Sequence, residues 1–296
     1  MKFCATLTFT NPDCWIELAS LAESHGYDTM VLSDHLVHHE TIAARYPYNE
    51  SGERAWSPET PWADVWVASG MMAAVTERLN FIQSVYVLPM RDPFHVAKAL
   101  GTVARLSGYR IGLGLGLGWL KEEFELLGHD FHTRGRRADE MVEVMRKLWT
   151  GELVEHHGEF YGFDRMSMSP GMRGPVPVVV GGNSRPALRR VARLADGWTP
   201  AFLGAAEIRE GLATIEGFQR EFGRSGHPLS VYASAPQADD PAGYRELEDA
   251  GVTHVTTVPW LERTGDPHDL SSMMDPPLQK MKDRQRRYAD EVIAKL

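Results

Sequence analysis

The feature that most narrows the fold is an alternation that runs almost the whole length of the chain. Lys2–Phe9, Thr29–Ser33, Leu79–Leu88, Arg110–Gly116, Val176–Val180, Gly197–Pro200, Leu229–Ala233 and Thr253–Val258 read as strands. Pro12–His25, Trp62–Val75, Pro93–Leu106, His132–Trp149, Pro186–Leu194, Ala205–Phe222, Pro241–Ala250 and Asp275–Leu296 read as helices between and after them. In the first helix Trp15, Leu18, Ala19 and Ala22 form one stripe; in the fourth, Met141, Val144, Met145 and Leu148 do. Val176–Val180 is apolar throughout, as a strand buried on both faces is. Strands joined only through helices must lie parallel, and eight such units close on themselves. The expected fold is therefore α/β, a (β/α)8 TIM barrel formed as one domain over residues 1–296. A doubly wound open sheet is the other arrangement the pattern allows. The length fits the barrel, which commonly runs to about 250 residues.

Three connections are too long for a bare barrel. Leu36–Pro61 follows strand two, Gly151–Pro175 precedes strand five, and Pro259–Met274 follows strand eight. The first and last leave the C-terminal strand ends, where barrel enzymes keep their sites. The first carries Tyr46, Tyr48 and Trp56, which suit a lid over a substrate. Trp66, Met71, Met72, Trp149 and Trp198 are assigned to the core.

The net charge of −9 argues against a nucleic-acid surface. The cluster Lys280, Lys282, Arg284, Arg286 and Arg287 fits a solvated helix face. Two cysteines, Cys4 and Cys14, suggest neither a disulfide framework nor a zinc site. His38-His39-Glu40 lacks the helical spacing of a ligand set, so no metal is expected. The opening MKFCATLTF has no long apolar run, and no stretch is apolar enough to span a bilayer. The expected setting is cytoplasmic, with no membrane or nucleic-acid partner.

Three places can carry chemistry. Ser33-Asp34-His35 ends strand two, and a histidine there can act as acid or base near neutral pH; it can equally be satisfied by a loop carbonyl. Gly112, Gly114, Gly116 and Gly118 alternate with leucines and do not match the G-x-G-x-x-G dinucleotide pattern. Alternating glycines clear one face of a strand, either for a flat ring approaching the backbone or for tight packing inside the barrel. Gly181-Gly182-Asn183-Ser184 joins strand five to a helix. Its glycines and helix-start amides suit an anion, although a capped turn with no ligand reads the same way.

Taken together, several segments resemble the luciferase-like flavin and deazaflavin oxidoreductases. They are SDHL (Ser33–Leu36), SVYVLPMRDP (Ser84–Pro93), LSGYR (Leu106–Arg110) and GLGLGWLKEEFELLG (Gly114–Gly128). HTRGRRADEMVEVMRKLWTG (His132–Gly151), HGEFYGFD (His157–Asp164) and VGGNSRPALRRVARLADGW (Val180–Trp198) continue the series in order. The GWLKEEF and LWTGE segments look most like single-component enzymes that use coenzyme F420, a deazaflavin. The resemblance implies that His35 lies beside the reactive ring as acid or base. It implies a non-proline cis peptide at Ser84–Val85, forming a bulge behind that ring, and the cofactor's phosphate on Gly181, Gly182, Asn183 and Ser184. Asp34 and Trp119 are counted with the cofactor-facing positions. Trp119 stands where some deazaflavin dehydrogenases carry an acidic proton donor, which counts against a sugar-phosphate reaction. Tyr109 stands where members often have a second glycine, implying a different local turn.

The expected activity is hydride transfer between coenzyme F420 and a small organic substrate. The alternatives are an FMN-dependent monooxygenase fed by a separate reductase, and a flavin-binding barrel without catalysis. A homodimer is expected from the resemblance.

Overall fold

The computed structural model describes residues 1–54, 56–234, 241–261 and 276–296. In chain order the elements are β1 (Lys2–Thr6), α1 (Trp15–Ser24), β2 (Thr29–Leu32), α2 (Val65–Ala73), β3 (Asn80–Gln83), β4 (Tyr86–Val87), α3 (Pro93–Leu106) and β5 (Leu113–Gly116). They continue with α4 (Lys121–Leu126), α5 (Arg134–Trp149), β6 (Val154–His157), β7 (Gly162–Met166), β8 (Val178–Gly181) and α6 (Arg185–Leu194). The chain then forms β9 (Gly197–Thr199), α7 (Ala205–Glu221), β10 (Ser230–Ser234), α8 (Pro241–Asp249), β11 (His254–Thr257) and α9 (Leu278–Glu291).

The main sheet runs β3-β2-β1-β11-β10-β9-β8-β5-β4, with parallel neighbours throughout. Both ends of that order belong to one strand, because β3 and β4 are the two halves of the third barrel strand. β3 also bonds to the residues leading into β5. Phe81 N donates to the Arg110 carbonyl (2.9 Å), and Gly112 N donates to the Phe81 carbonyl (3.0 Å). The ring is closed, and the fold is the eight-unit barrel rather than the open sheet.

Side chains alternate along the strands as the pleat requires. Phe3, Ala5, Met30, Leu32, Leu113, Leu115, Val178 and Val180 face the helices and join the main core. Cys4, Val31, Ile82 and Val179 point inward and pack with Tyr232, filling the barrel's middle. Asp64 starts α2 by accepting from the Trp66 and Val67 amides (both 2.9 Å), and Asp92 starts α3 in the same way.

Several expectations are corrected. The third strand, read as Leu79–Leu88, is interrupted at Ser84–Val85, and that bond is cis, as the resemblance implies. The first strand ends at Thr6 rather than Phe9. Met71, assigned to the core, is 53% exposed, because α2 carries apolar residues on its outer face as well. Gly108 (φ 69°) and Tyr109 (φ 67°) both hold left-handed backbone, and the tyrosine is held there by its hydroxyl, which accepts from Arg173 N (2.5 Å). The segment before strand five contains the antiparallel hairpin β6–β7. His156 pins it to α5 through Glu140 (Nε2 to Oε1, 3.1 Å), and Phe163 meets Phe94 of α3 edge-on (5.5 Å). Past Leu261, the connection that follows strand eight lies outside the described residues. Among the described residues no helix is long and apolar enough to cross a membrane.

Candidate active site

His35 leaves β2 at the barrel mouth and meets a partner that its own neighbourhood in sequence does not contain. Its Nδ1 lies 3.1 Å from Glu123 Oε2, on the short α4 that follows β5. The other carboxylate oxygen accepts from the Leu36 amide (2.8 Å) and more loosely from the Val37 amide (3.3 Å). Glu122 does the same one position earlier, taking the Ala43 amide at 2.6 Å. Two adjacent carboxylates on one helical turn thus fasten the long segment after β2. Burial works to raise the Glu123 carboxyl. The hydrogen bonds from His35 and from the Leu36 and Val37 amides outweigh it and hold the group below the usual carboxylate range. As acceptor-only, the ionised Glu123 requires Nδ1 to donate, which leaves the lone pair on Nε2. Among the described residues Nε2 has no hydrogen-bond partner.

Asp34 is committed elsewhere. Its Oδ1 accepts from Arg91 Nη2 (2.7 Å) and its Oδ2 from the Val87 amide (2.9 Å). Burial pushes its carboxyl above the ordinary value, partly offset by Arg91 and the Val87 amide. The structure shows it as a brace that holds β4 against β2.

The glycine run is explained by its neighbour. A Cβ on Gly114 would sit 1.6 Å from the Gln83 carbonyl oxygen, and one on Gly116 would sit 2.1 Å from Val85 Cγ2. A Cβ on Gly181 would meet the other Val85 methyl at 2.6 Å. The cleared face of β5 is therefore occupied by the interrupted third strand. Val85 projects between Gly116 and Gly181, so these sequence-predicted positions do come together. Around the bulge the barrel end is lined by small hydroxyls. Thr6 Oγ1 and Thr8 Oγ1 are 2.9 Å apart, and Thr8 Oγ1 and Ser33 Oγ are 2.7 Å apart. Ser33 Oγ donates to the Ser84 carbonyl at 3.1 Å.

The Gly181–Ser184 loop is well anchored. Trp198 Nε1 donates to the Gly182 carbonyl (2.9 Å), and Gly182 has φ of 113°, a conformation that suits glycine. The Asn183 side chain both donates to and accepts from the Ala201 backbone (2.8 and 2.9 Å), tying this loop to the one after β9. Ser184 caps α6, accepting from Ala187 N at 3.4 Å. The Asn183 and Ser184 amides have no acceptor among the described residues, and they stand at the positive end of α6. Arg185 stacks on Phe218 (4.9 Å).

Aromatic rings surround His35. Trp56 and Trp62 lie 4.9 Å from the imidazole centre and Trp119 lies 6.2 Å away. His38 and the carbonyl of His39 are taken by Arg54. A cavity of about 520 Å³ at the opposite end of the barrel is lined by Lys2, Glu23, Asp28 and Arg78 among others. His254 Nε2 approaches Asp28 Oδ2 there only to 3.8 Å, and barrel chemistry belongs at the C-terminal strand ends.

Sequence reasoning missed Glu122 and Glu123. The one local signal was a pair of adjacent glutamates just past a strand's C-terminal end.

A family model described as luciferase-like monooxygenase matches residues 5–286. The chain belongs to that family. An uncharacterized protein of Mycobacterium tuberculosis (strain ATCC 25618 / H37Rv) is 36% identical over 255 residues, covering 86% of this chain and 88% of its own. An F420-dependent glucose-6-phosphate dehydrogenase of Nakamurella multipartita is 32% identical over 185 residues, 62% of this chain and 50% of its own. Among solved structures, an F420-dependent secondary alcohol dehydrogenase with an F420-acetone adduct superposes over 99% of both chains. Its TM-score is 0.74 at 16% identity, a likeness of fold.

Proposed function

We propose that the chain is a coenzyme F420-dependent oxidoreductase that moves a hydride between the deazaflavin and a small organic substrate. The observation that carries this reading is the His35–Glu123 pair at the barrel mouth, 3.1 Å apart and beside the bulged third strand. The residues fit a phosphate-bearing flat cofactor. Free Asn183 and Ser184 amides at the start of α6 suit the phosphate. Small hydroxyls of Thr6, Thr8 and Ser33 line the barrel end around the bulge, with Ser33 donating to the Ser84 carbonyl. When bound, the deazaflavin supplies a two-electron hydride donor or acceptor.

The chain's own residues do the rest. His35 Nε2 gives the substrate oxygen a proton during reduction, or takes one during oxidation. Glu123 keeps the imidazole in the tautomer that allows this and stabilises its protonated form. The Leu36–Asp64 segment excludes water. The test is His35→Ala: turnover is expected to fall by about 10²–10⁴-fold while cofactor affinity changes little. Unchanged turnover removes His35 from the mechanism. The description of the family as monooxygenases supports one second reading, an FMN-dependent reaction with oxygen.

A further inference from the structure

The segment after β2 does more than cover the site. Trp56 is 8% exposed and reaches across the mouth. Its ring lies 6.1 Å from Phe9 beyond β1, 6.1 Å from Trp119 beyond β5, and 5.6 Å from Trp62. Three strand steps separate β1 from β5, so this indole bridges the opening beside His35. The wall it rests on is flat and apolar. It continues outward through Tyr46 to Tyr48, which meets the exposed Phe202 at 6.1 Å. Burial raises the Tyr46 phenol to about 12, so it brings no charge at neutral pH.

The cationic groups of this rim already have hydrogen-bond partners. Arg45 donates to the Glu50 and Ser51 carbonyls, Arg54 is held by His38 and the His39 carbonyl, and Arg91 pairs with Asp34. Glu122 and Glu123 hold backbone amides. Among the described residues the rim therefore offers aromatic faces and no uncommitted cation. A phosphate dianion here would have to draw Arg45 or Arg54 from bonds they already make, whereas an uncharged ring would gain buried aromatic contact.

We propose that the substrate is a flat, uncharged ring compound, an aryl or cyclic ketone or the matching alcohol, that takes the slot Trp56 fills in this structure. It lies against Trp62 and Trp119 with its reacting carbon beside His35. This rests on the oxidoreductase reading above. In the reducing direction the carbonyl carbon receives the hydride of the reduced deazaflavin, and the oxygen receives the proton of His35. The site thus differs from one for a phosphorylated sugar, the substrate named for two of the relatives.

The test is made first on cofactor-free protein. Trp56→Ala empties the slot, and indole is the probe, followed by calorimetry. Indole is expected to bind Trp56→Ala at least about tenfold more tightly than wild type, in keeping with the discrimination apolar pockets achieve. Acetophenone should displace it, and glucose 6-phosphate should not. Wild-type protein titrated with acetophenone and with glucose 6-phosphate gives a second measurement that needs no variant, and acetophenone should bind more tightly. Equal indole binding to both proteins, displacement by glucose 6-phosphate, or tighter sugar-phosphate binding to wild type each overturns the proposal. Oxidation of reduced F420 by acetophenone is measured separately. Ring binding without that oxidation leaves the slot standing and removes the oxidoreductase reading. Reduction of oxidised F420 by glucose 6-phosphate, with no turnover of acetophenone, does the reverse.

Discussion

Replacing Glu123 with glutamine isolates what its charge does for His35. The glutamine oxygen can still accept from the Leu36 and Val37 amides, at the 2.8 and 3.3 Å now seen. The amide nitrogen then faces His35 Nδ1, where the carboxylate oxygen lay at 3.1 Å. Because that nitrogen only donates, the imidazole must carry its proton on Nε2 and loses the lone pair there. Flipping the amide restores the imidazole but turns N–H toward two N–H donors. Either way one buried group goes unsatisfied, at about 1–3 kcal/mol. The protonated imidazole also loses a charge-assisted bond, about 1.5–3 kcal/mol. With about 1.4 kcal/mol per tenfold, kcat should fall by about 10²–10⁴-fold. KM for the cofactor should stay within about threefold, since no binding contact is removed. Single-turnover absorbance of the deazaflavin is the assay. The double variant His35→Ala/Glu123→Gln should be no slower than His35→Ala alone, because the carboxylate acts only through the imidazole. Full additivity of the two effects, or an unchanged kcat in Glu123→Gln, refutes the reasoning.

Glu122 and Glu123 both titrate below the usual carboxylate range in the folded chain, so their anchoring of the segment after β2 is complete above the unfolded value of about 4.3 and lost as pH falls through the depressed folded values. Protease cleavage between residues 36 and 61 should therefore rise on acidification below about pH 4, and Glu122→Gln/Glu123→Gln should flatten that rise; a pH-independent cleavage rate contradicts it. Gly114→Ala should prevent folding or cost more than about 3 kcal/mol in denaturant unfolding, because its Cβ meets the Gln83 backbone, which cannot yield. Gly116→Ala should cost about 1–3 kcal/mol and be relieved in part by Val85→Ala, which removes the methyl at 2.1 Å and keeps the Cβ at 2.8 Å; no relief in the double variant sinks that packing argument.

The barrel was legible because its signal repeats. Each strand and each amphipathic helix of the α5 kind states its period over many residues, and the short connections leave only parallel pairing. Breaks within elements were less visible. Leu79–Leu88 is apolar enough to look like one strand by pattern; its interruption at Ser84–Val85 came only from the resemblance, and the structure adds that Gly114 and Gly116 vacate the space Gln83 and Val85 enter. The glycines themselves were noticed, but whether they cleared room for a ring or for a neighbouring strand depends on pairing, which a linear pattern does not contain. His35 was legible by position at a strand end. Its partner was not, because α4 has six residues, too few to show a helical period, and the pair is separated by 88 positions. Asp34, adjacent to His35 and counted with it, turns the other way because neighbouring residues of an extended chain face opposite sides. The lid aromatics were legible as a set, but their convergence on Trp56 was not.

The most direct measurement is a paired fluorescence titration of the purified chain with coenzyme F420 and with FMN under one set of conditions. F420 is expected to bind more tightly, and a reduced F420 sample is expected to be oxidised by an added ketone only when His35 is intact. Tighter binding of FMN, with F420 failing to saturate the protein, contradicts the deazaflavin assignment and leaves the barrel and its His35–Glu123 pair to the oxygen-dependent reading.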